Sequence, residues 1–401
     1  GGLTLIAVGI DVSKSKSTVA ILSSDGEILA KPFSIRHVES DIDNLITYLR
    51  SLQDDVKVVM EATGHYHLPI LKKLHDSDLF VCVMNPYLMK KYGDNEIRRG
   101  KTDKKDAMRM AYYALEKSYA LTRYSSLEQK YLDLKFLSRQ YNQRVATKVV
   151  NRVHLGNLLD EAMPGIETIL MSKTTNPENN MLYNFIVKYK NFDVIKSMGK
   201  KRFLNSYTKL AEKNGCRNYA RKALQIYELA VDSIVTRGSD PYTELAIEQC
   251  LNILKQSEIA AKAIMVQMQN IACTLPEYPI VRSMNGVGDN LAPRLIAEIG
   301  DVRRFTSGKA LNAYAGNDAP PFQSGQYESQ NRHISKRGAP ALRKACYEVM
   351  QCLKMHKPQD DSVYLFMIKK EQEGKPLNVA KMAAINKFLR IYYARVMEIY
   401  K

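Results

Sequence analysis

Asp11, Glu61, Asp103 and Asp106 are the residues of this sequence whose types and settings point most directly to chemistry. Asp11 stands where the apolar, β-branched run Leu3 to Ile10 gives out, and Glu61 stands where a second run, Val56 to Met60, gives out. Asp103 and Asp106 lie three apart at the start of an Ala-rich stretch, a spacing that sets both on one helix face. Strand ends in an open α/β sheet line the crevice where ligands bind, so the four can converge. Such a cluster repels itself unless cations hold it. Hard oxygen ligands select Mg²⁺ or Mn²⁺, and two ions about 4 Å apart can clamp the attacking and leaving oxygens of a phosphodiester. Taken singly, each carboxylate reads equally well as a turn cap, a helix-start acid or a solvated strand end.

Groups suited to phosphate lie nearby and downstream. Arg98, Arg99, Lys101, Lys104 and Lys105 interleave with Asp103 and Asp106, and cations beside a metal site would hold the phosphates flanking a scissile one. For Lys104 and Lys105 a merely solvated face is the alternative. Asn285-Gly286-Val287-Gly288-Asp289-Asn290, followed by the apolar stretch Leu291 to Ile299, looks like a helix-hairpin-helix turn, in which Gly286 and Gly288 would let backbone N–H groups approach a phosphate. A plain connection between helices explains it too. Lys336 and Arg337 precede another helix and either bind phosphate or form a solvated basic turn. Ser324, beside Gly325, reads on its own as a turn residue.

The elements that must position these groups are legible from periodicity. Strands are expected over Leu3 to Ile10, Thr18 to Leu22, Ile28 to Ile35, Val56 to Met60 and Leu79 to Met84, and helices over Glu39 to Leu52, around His67 to Leu74, and from near Thr102 to about Leu115. Three strands followed by alternating helix and strand make an α/β layer domain over residues 1–124. Ser125 to Met163 contains no proline and one glycine, with Leu127, Tyr131, Leu134, Tyr141 and Val145 at helical spacing; Tyr242 to Ala272 repeats the pattern. Two long helices flanking an insertion at about 165–240 suggest an antiparallel coiled coil across 125–275, with an ordinary bundle as the alternative. From 276 to 401 the chain reads as short helices broken by Gly286, Gly300, Gly316, Gly325 and Gly338.

Composition narrows the function class. With 401 residues and 45% apolar content the chain can build two or three real cores, and 59 Lys and Arg against 42 Asp and Glu leave +17, which favours a polyanionic partner. No run of about 18 apolar residues and no signal-peptide pattern is present, so a membrane role is not expected. The six cysteines lack Cys-x-x-Cys spacing and read as reduced core residues. Tyr364, Tyr392 and Tyr393 could stack on bases, but at helical spacing in an apolar tail they read more readily as core.

The order strand-strand-strand-helix-strand-helix-strand-helix around the acidic set resembles an RNase H or RuvC-like nuclease core. Gly9-Ile10-Asp11-Val12-Ser13-Lys14, Glu61-Ala62-Thr63-Gly64, Asn85-Pro86, Lys101-Thr102-Asp103-Lys104-Lys105-Asp106-Ala107, Gly286-Val287-Gly288, Tyr314-Ala315-Gly316, Gln323-Ser324-Gly325 and Ile334-Ser335-Lys336-Arg337-Gly338 together resemble, in order, the DEDD transposases of insertion-sequence family one-ten. Only about 165–240 carries no matching motif. The resemblance implies an α/β plus α architecture: a RuvC-like N-terminal domain, a coiled-coil middle, and a mainly helical C-terminal transposase domain (276–401) with a helix-hairpin-helix. It implies Asp11, Glu61, Asp103 and Asp106 as a catalytic, metal-binding acidic tetrad, with Mg²⁺ or Mn²⁺ as cofactor. Ser324 becomes a nucleophile that forms a covalent phosphoserine link to DNA. Donor and target DNA, a structured bridge RNA and further copies of the chain, as a dimer or tetramer, are the implied partners, in a prokaryotic cytoplasm. One departure is Asn317-Asp318-Ala319-Pro320-Pro321-Phe322, where the family pattern leads one to expect a more basic stretch.

The expected function is a site-specific DNA recombinase that moves an insertion element. Two rivals remain: a hydrolytic RuvC-like junction nuclease in which Ser324 is only a turn residue, and a non-catalytic RNA-binding scaffold. Because Ser324 lies too far along the chain to share a domain with Asp11, a composite active site is expected.

Overall fold

The computed structural model of the chain describes residues 4–62, 65–84, 89, 92, 102–124, 129–170, 177–217, 219–319, 323–324, 327–328 and 333–401. They fall into two compact units, Gly1–Ser126 and Leu127–Lys401.

The first unit is built on strands β1 (Leu5–Val12), β2 (Lys16–Ser23), β3 (Ile28–Arg36), β4 (Asp55–Glu61) and β5 (Phe80–Met84), in the order β3-β2-β1-β4-β5. β1 pairs antiparallel with β2 and parallel with β4, and β4 is parallel to β5. Helices α1 (Glu39–Ser51), α2 (Leu68–Asp76) and α3 (Asp103–Glu116) cover it. Strand alternation sorts the core into two layers. Ile6, Val8, Ile10, Val12, Val58 and Met60 pack with Ile42, Leu45, Leu49 and Leu74 of α1 and α2. Ala7 and Val59 share the opposite layer with Met110 and Ala114 of α3, and Ala20 and Leu22 meet Ala107 and Ala111. Burial on both faces is why β1 is an unbroken apolar run rather than an alternating one.

The second unit contains two cores joined by a pair of long helices, α4 (Gln129–Ala162) and, after the intervening segment, α10 (Pro241–Ala272). Tyr131 donates to Glu277 (2.6 Å), Lys148 pairs with Glu258 (3.6 Å), and the Cys250 thiol donates to the Asn151 carbonyl (3.0 Å), so the two run antiparallel. At 1.5 Å per residue the pair is about 50 Å long. Between them α5 (Ile166–Leu170), α6 (Met181–Tyr189), α7 (Phe192–Met198), α8 (Lys200–Lys213) and α9 (Tyr219–Asp232) form a cap around Phe185, Tyr189, Phe192, Phe203 and Tyr207. Sequence periodicity did not place this segment, because its helices are short and its aromatic core is assembled between them.

The C-terminal core comprises α11 (Tyr278–Arg282), α12 (Leu291–Ile299), α13 (Gly308–Tyr314), a hairpin of β6 (Gln323–Ser324) and β7 (Tyr327–Glu328), then α14 (Pro340–His356), α15 (Ser362–Gln372) and α16 (Leu377–Met397). The expectation of short helices fails for α14 and α16. No glycine interrupts the chain between Gly338 and Gly374, and α16 buries Ala384, Phe388, Leu389 and Tyr392 along one face. Tyr364 and Tyr392 are core, and Tyr393 is partly buried and donates to the Phe305 carbonyl, so the base-stacking alternative fails for these tyrosines. All six cysteines are free; Cys273, at the C-terminal end of α10, is exposed, correcting the expectation that all are core residues. Among the described residues no helix is long and apolar enough to cross a membrane.

Candidate active site

Ile10 of β1 stands opposite Met60 of β4 in a parallel register, so Asp11 and Glu61 occupy the next step of neighbouring strands. Alternation from Ala7 and Val59 turns both toward the face that α3 covers. α3 crosses this face against the direction of β1: Met110 and Ala114 share a layer with Ala7, while Ala107 and Ala111 lie over Gly9. Its first turn, with Asp103 and Asp106, is therefore carried toward Asp11. The close crossing requires a glycine. A Cβ on Gly9 would stand 2.5 Å from the Ala111 nitrogen and 2.9 Å from Met110 Cβ, and nearer still to the Ala107 carbonyl oxygen.

Local signals hold the start of α3. Thr102, in extended conformation, accepts from the Lys105 N–H (3.3 Å) as N-cap, and acids in the first turn favour the positive end of the helix dipole. Asp11, Glu61 and Asp106 are half-buried, and Asp103 is exposed. Asp106 also accepts from Arg109 (2.8 Å), one turn along the same helix. Arg109 escaped the sequence reading, although its i, i+3 spacing from Asp106 was the available signal.

An all-carboxylate set at the end of one sheet face offers the hard oxygen donors that suit a divalent ion such as Mg²⁺ or Mn²⁺. Among the described residues no three His, Cys, Asp or Glu side chains already form a closed metal cluster, and one Asp106 oxygen is engaged with Arg109. The donor chemistry fits, with Arg109 as the internal competitor for Asp106.

Of the basic residues, Lys104 and Lys105 are exposed on the first turn of α3, while Arg98, Arg99 and Lys101 lie outside the described residues. The Asn285–Asn290 turn joins α11 to α12 as the spacing suggested, and its two glycines differ. Gly286 (φ +78°) lies against α14, where a Cβ would stand 2.9 Å from the Val349 carbonyl oxygen. Gly288 faces open space, and its carbonyl accepts the Leu291 and Ala292 N–H groups. The α12 that follows is buried throughout. Arg294 forms a two-pronged pair with Glu348 (2.5 and 3.0 Å), and Glu298 accepts from Lys135 and from Ser138 (2.7 Å) of α4. Burial opposes the Arg294 charge, but the Glu348 bonds outweigh it and raise its pKa.

Ser324 pairs with Tyr327 across the β6–β7 hairpin, and Gln323 pairs with Glu328. The base of this excursion is fastened: Asp318 takes the Ser335 N–H (2.7 Å) on its carbonyl and the Ser335 hydroxyl (2.5 Å) on its carboxylate. Below it, buried Asn317 donates to Asn312 and to the Met382 carbonyl, both at 3.0 Å. The Tyr314-Ala315-Gly316 and Ser335-Lys336-Arg337-Gly338 motifs lie backbone to backbone, since a Cβ on Gly338 would stand 2.5 Å from the Gly316 nitrogen and one on Gly316 would stand 3.0 Å from the Arg337 nitrogen. Lys336 and Arg337 are exposed on this stem. Asn317 and Asp318, which depart from the expected basic stretch, are its fasteners.

Comparison with known proteins agrees with this architecture. A transposase model of the DEDD, IS110 type matches residues 8–164, and the model described as Transposase IS116/IS110/IS902 family matches residues 278–365. No curated protein matches the chain. Among solved structures the chain is similar to Thermus thermophilus RuvC in complex with Holliday junction substrate, at 10% identity and a TM-score of 0.22, covering 29% of this chain and 96% of that one. A second Thermus thermophilus RuvC structure is similar at 12% identity and a TM-score of 0.23, covering 29% and 98%. The N-terminal unit is a mixed sheet in the order β3-β2-β1-β4-β5, followed by a mainly helical region. With two transposase models together matching more than half of its length, in the order of the motifs above, the chain belongs to the IS110-family DEDD transposases, enzymes that act on DNA.

Proposed function

We propose that the chain cuts and rejoins donor and target DNA through a covalent phosphoserine formed at Ser324, with Asp11, Glu61, Asp103 and Asp106 holding Mg²⁺ or Mn²⁺. The observation that supports the acidic half of this reading is the strand register, which sets Asp11 and Glu61 on neighbouring strands, together with the crossing of α3 over Gly9, which directs the first turn of that helix, with Asp103 and Asp106, toward the same sheet end.

In the step itself the Ser324 oxygen attacks phosphorus, an Oγ–P bond forms, the P–O bond to the leaving deoxyribose breaks, and that oxygen takes a proton. The energy of the diester is kept in the serine link, so a DNA hydroxyl can reverse the attack and rejoin. A serine hydroxyl is a weak nucleophile at neutral pH, and its proton must pass to a base. Asp11, Glu61, Asp103 and Asp106 would hold a divalent ion, which would supply charge stabilisation to phosphoryl oxygens. Lys104 and Lys105 bind flanking phosphates, Gly288 offers an approachable backbone, and Lys336 and Arg337 bind phosphate at the foot of the hairpin. Such contacts position DNA without reading sequence. Base pairing by a structured bridge RNA is an adequate source of selectivity, and the chain acts as a homo-oligomer, a dimer or tetramer, on two duplexes.

The test is metal-dependent strand cleavage by purified protein. Asp11→Asn and Asp103→Asn should abolish it while leaving DNA binding in place, and calcium, with its larger and looser shell, should not replace magnesium. Wild-type rates in either variant would remove the acidic set from the reaction.

A further inference from the structure

Residues 165–277 lie outside both family matches, and the cap within them carries a concentration of charge. From Lys200 to Lys222 there are eight Lys and Arg against the single acid Glu212, so a span of 23 residues carries a net +7 of the chain's +17. Helix α8 buries Phe203, Tyr207 and Ala211 against the cap core. A separate stripe, Arg202, Ser206, Lys209 and Lys213, recurs at spacings of four, three and four, which places it along one side of the helix. Lys188, at the end of α6, donates to the Ser206 carbonyl (3.0 Å) and so joins the stripe. Burial and the neighbouring Lys209 charge both lower the Lys188 pKa.

This charge is not balanced from within. Among the described residues Arg202, Lys209 and Lys213 have no acidic partner, and Glu212 is engaged by the Tyr219 hydroxyl (3.2 Å). Lys200, Lys201 and Arg202 also crowd the first turn of α8, which holds no acid and has no side-chain cap. Cations there oppose the helix dipole, so folding alone gives no reason for them.

We propose that this face of α8, with Lys188, is a docking surface for the phosphate backbone of duplex DNA. From Arg202 to Lys213 the stripe spans about 16 Å, enough to reach phosphates on both sides of a major groove about 12 Å wide. Along α4 the C-terminal core reaches Tyr141 and the cap core begins at Leu155, about 20 Å further on, so the surface meets DNA apart from the Asn285–Asn290 turn. The inference rests on the transposase reading for its choice of DNA as occupant.

The experiment measures binding of the full chain to a labelled 40-bp DNA duplex over a range of salt. The Arg202→Gln, Lys209→Gln, Lys213→Gln triple variant should flatten the slope of log K against log salt by about 2.7, at about 0.9 for each phosphate that is no longer neutralised. Arg202→Lys, Lys209→Arg, Lys213→Arg should retain the slope, and on unmodified protein DNA should shield Lys209 and Lys213 from acetylation. An unchanged slope in the Gln triple, or equal acetylation with and without DNA, overturns the proposal. A loss confined to an RNA duplex of the same length overturns DNA as the occupant. Absence of cleavage by wild type together with the expected slope change would sink the transposase reading alone. Cleavage with an unchanged slope would sink this surface alone.

Discussion

Gly9→Ala is the smallest change that tests whether α3 positions the acidic site. The added methyl would meet main-chain atoms of α3 at Ala107 and Ala111, with the Ala111 nitrogen at 2.5 Å and Met110 Cβ at 2.9 Å. Carbon atoms settle near 3.5–4.0 Å from one another, so the helix must lift by about 1 Å. Because the obstruction is backbone, no rotamer change relieves it. The cost should lie at the upper end of the overpacking range, about 3 kcal/mol, which for a unit of this size lowers its melting temperature by roughly 10 °C. The lift also moves Asp103 and Asp106 relative to Asp11 and Glu61, and a misplacement of about 1 Å costs on the order of 100-fold in rate. Calorimetry and single-turnover cleavage of a labelled duplex give both numbers. Gly156→Ala is the control: it sits within α4, where a Cβ would find Glu167 at an ordinary 3.4 Å, and alanine should stabilise that helix by about 0.5–1 kcal/mol. Wild-type cleavage and melting in Gly9→Ala would refute the crossing as the device that assembles the site.

Ser335→Ala removes the hydroxyl bond to Asp318 and should loosen the hairpin stem, lowering the yield of protein–DNA adduct without preventing it; Ser324→Ala should prevent it, as a denaturing gel will register. Arg294→Met leaves Glu348 without its buried partner and should destabilise the C-terminal core by about 3 kcal/mol, read as a denaturant midpoint shift without change in slope. Recombination should require the RNA encoded beside the element and follow a rewritten target-pairing loop; recombination at the original site without RNA removes the guide while leaving the serine chemistry standing.

Much of the first unit was legible because its physics is local. β1, β2 and β4 are apolar runs bounded by turns, and the observed strands lie within two residues of those read from the pattern. The start of α3 was visible in Thr102 followed by acids. The cap was not, since Phe185, Tyr189, Phe203 and Tyr207 make a core only once several short helices meet. Irregular heptads in the long helices have a structural cause: half-buried Lys148 and Arg152 occupy the seam between Ser138 and Leu155. Asn317 and Asp318 read as a departure from a basic stretch because their partners, Met382 and Ser335, are remote in sequence. The different roles of Gly286 and Gly288 depend on whether α14 packs against the turn, which local sequence does not encode.

The most direct test of the chemistry is to trap the serine link. Purified protein, its element DNA, the adjacent RNA and magnesium are stopped in denaturant, resolved on a gel, and the adduct is digested for mass spectrometry. A wild-type adduct mapped to Ser324, absent from both Ser324→Ala and Asp11→Asn, is the expected result. DNA strands cut with free termini and no protein attached, or an adduct that survives in Ser324→Ala, would contradict it.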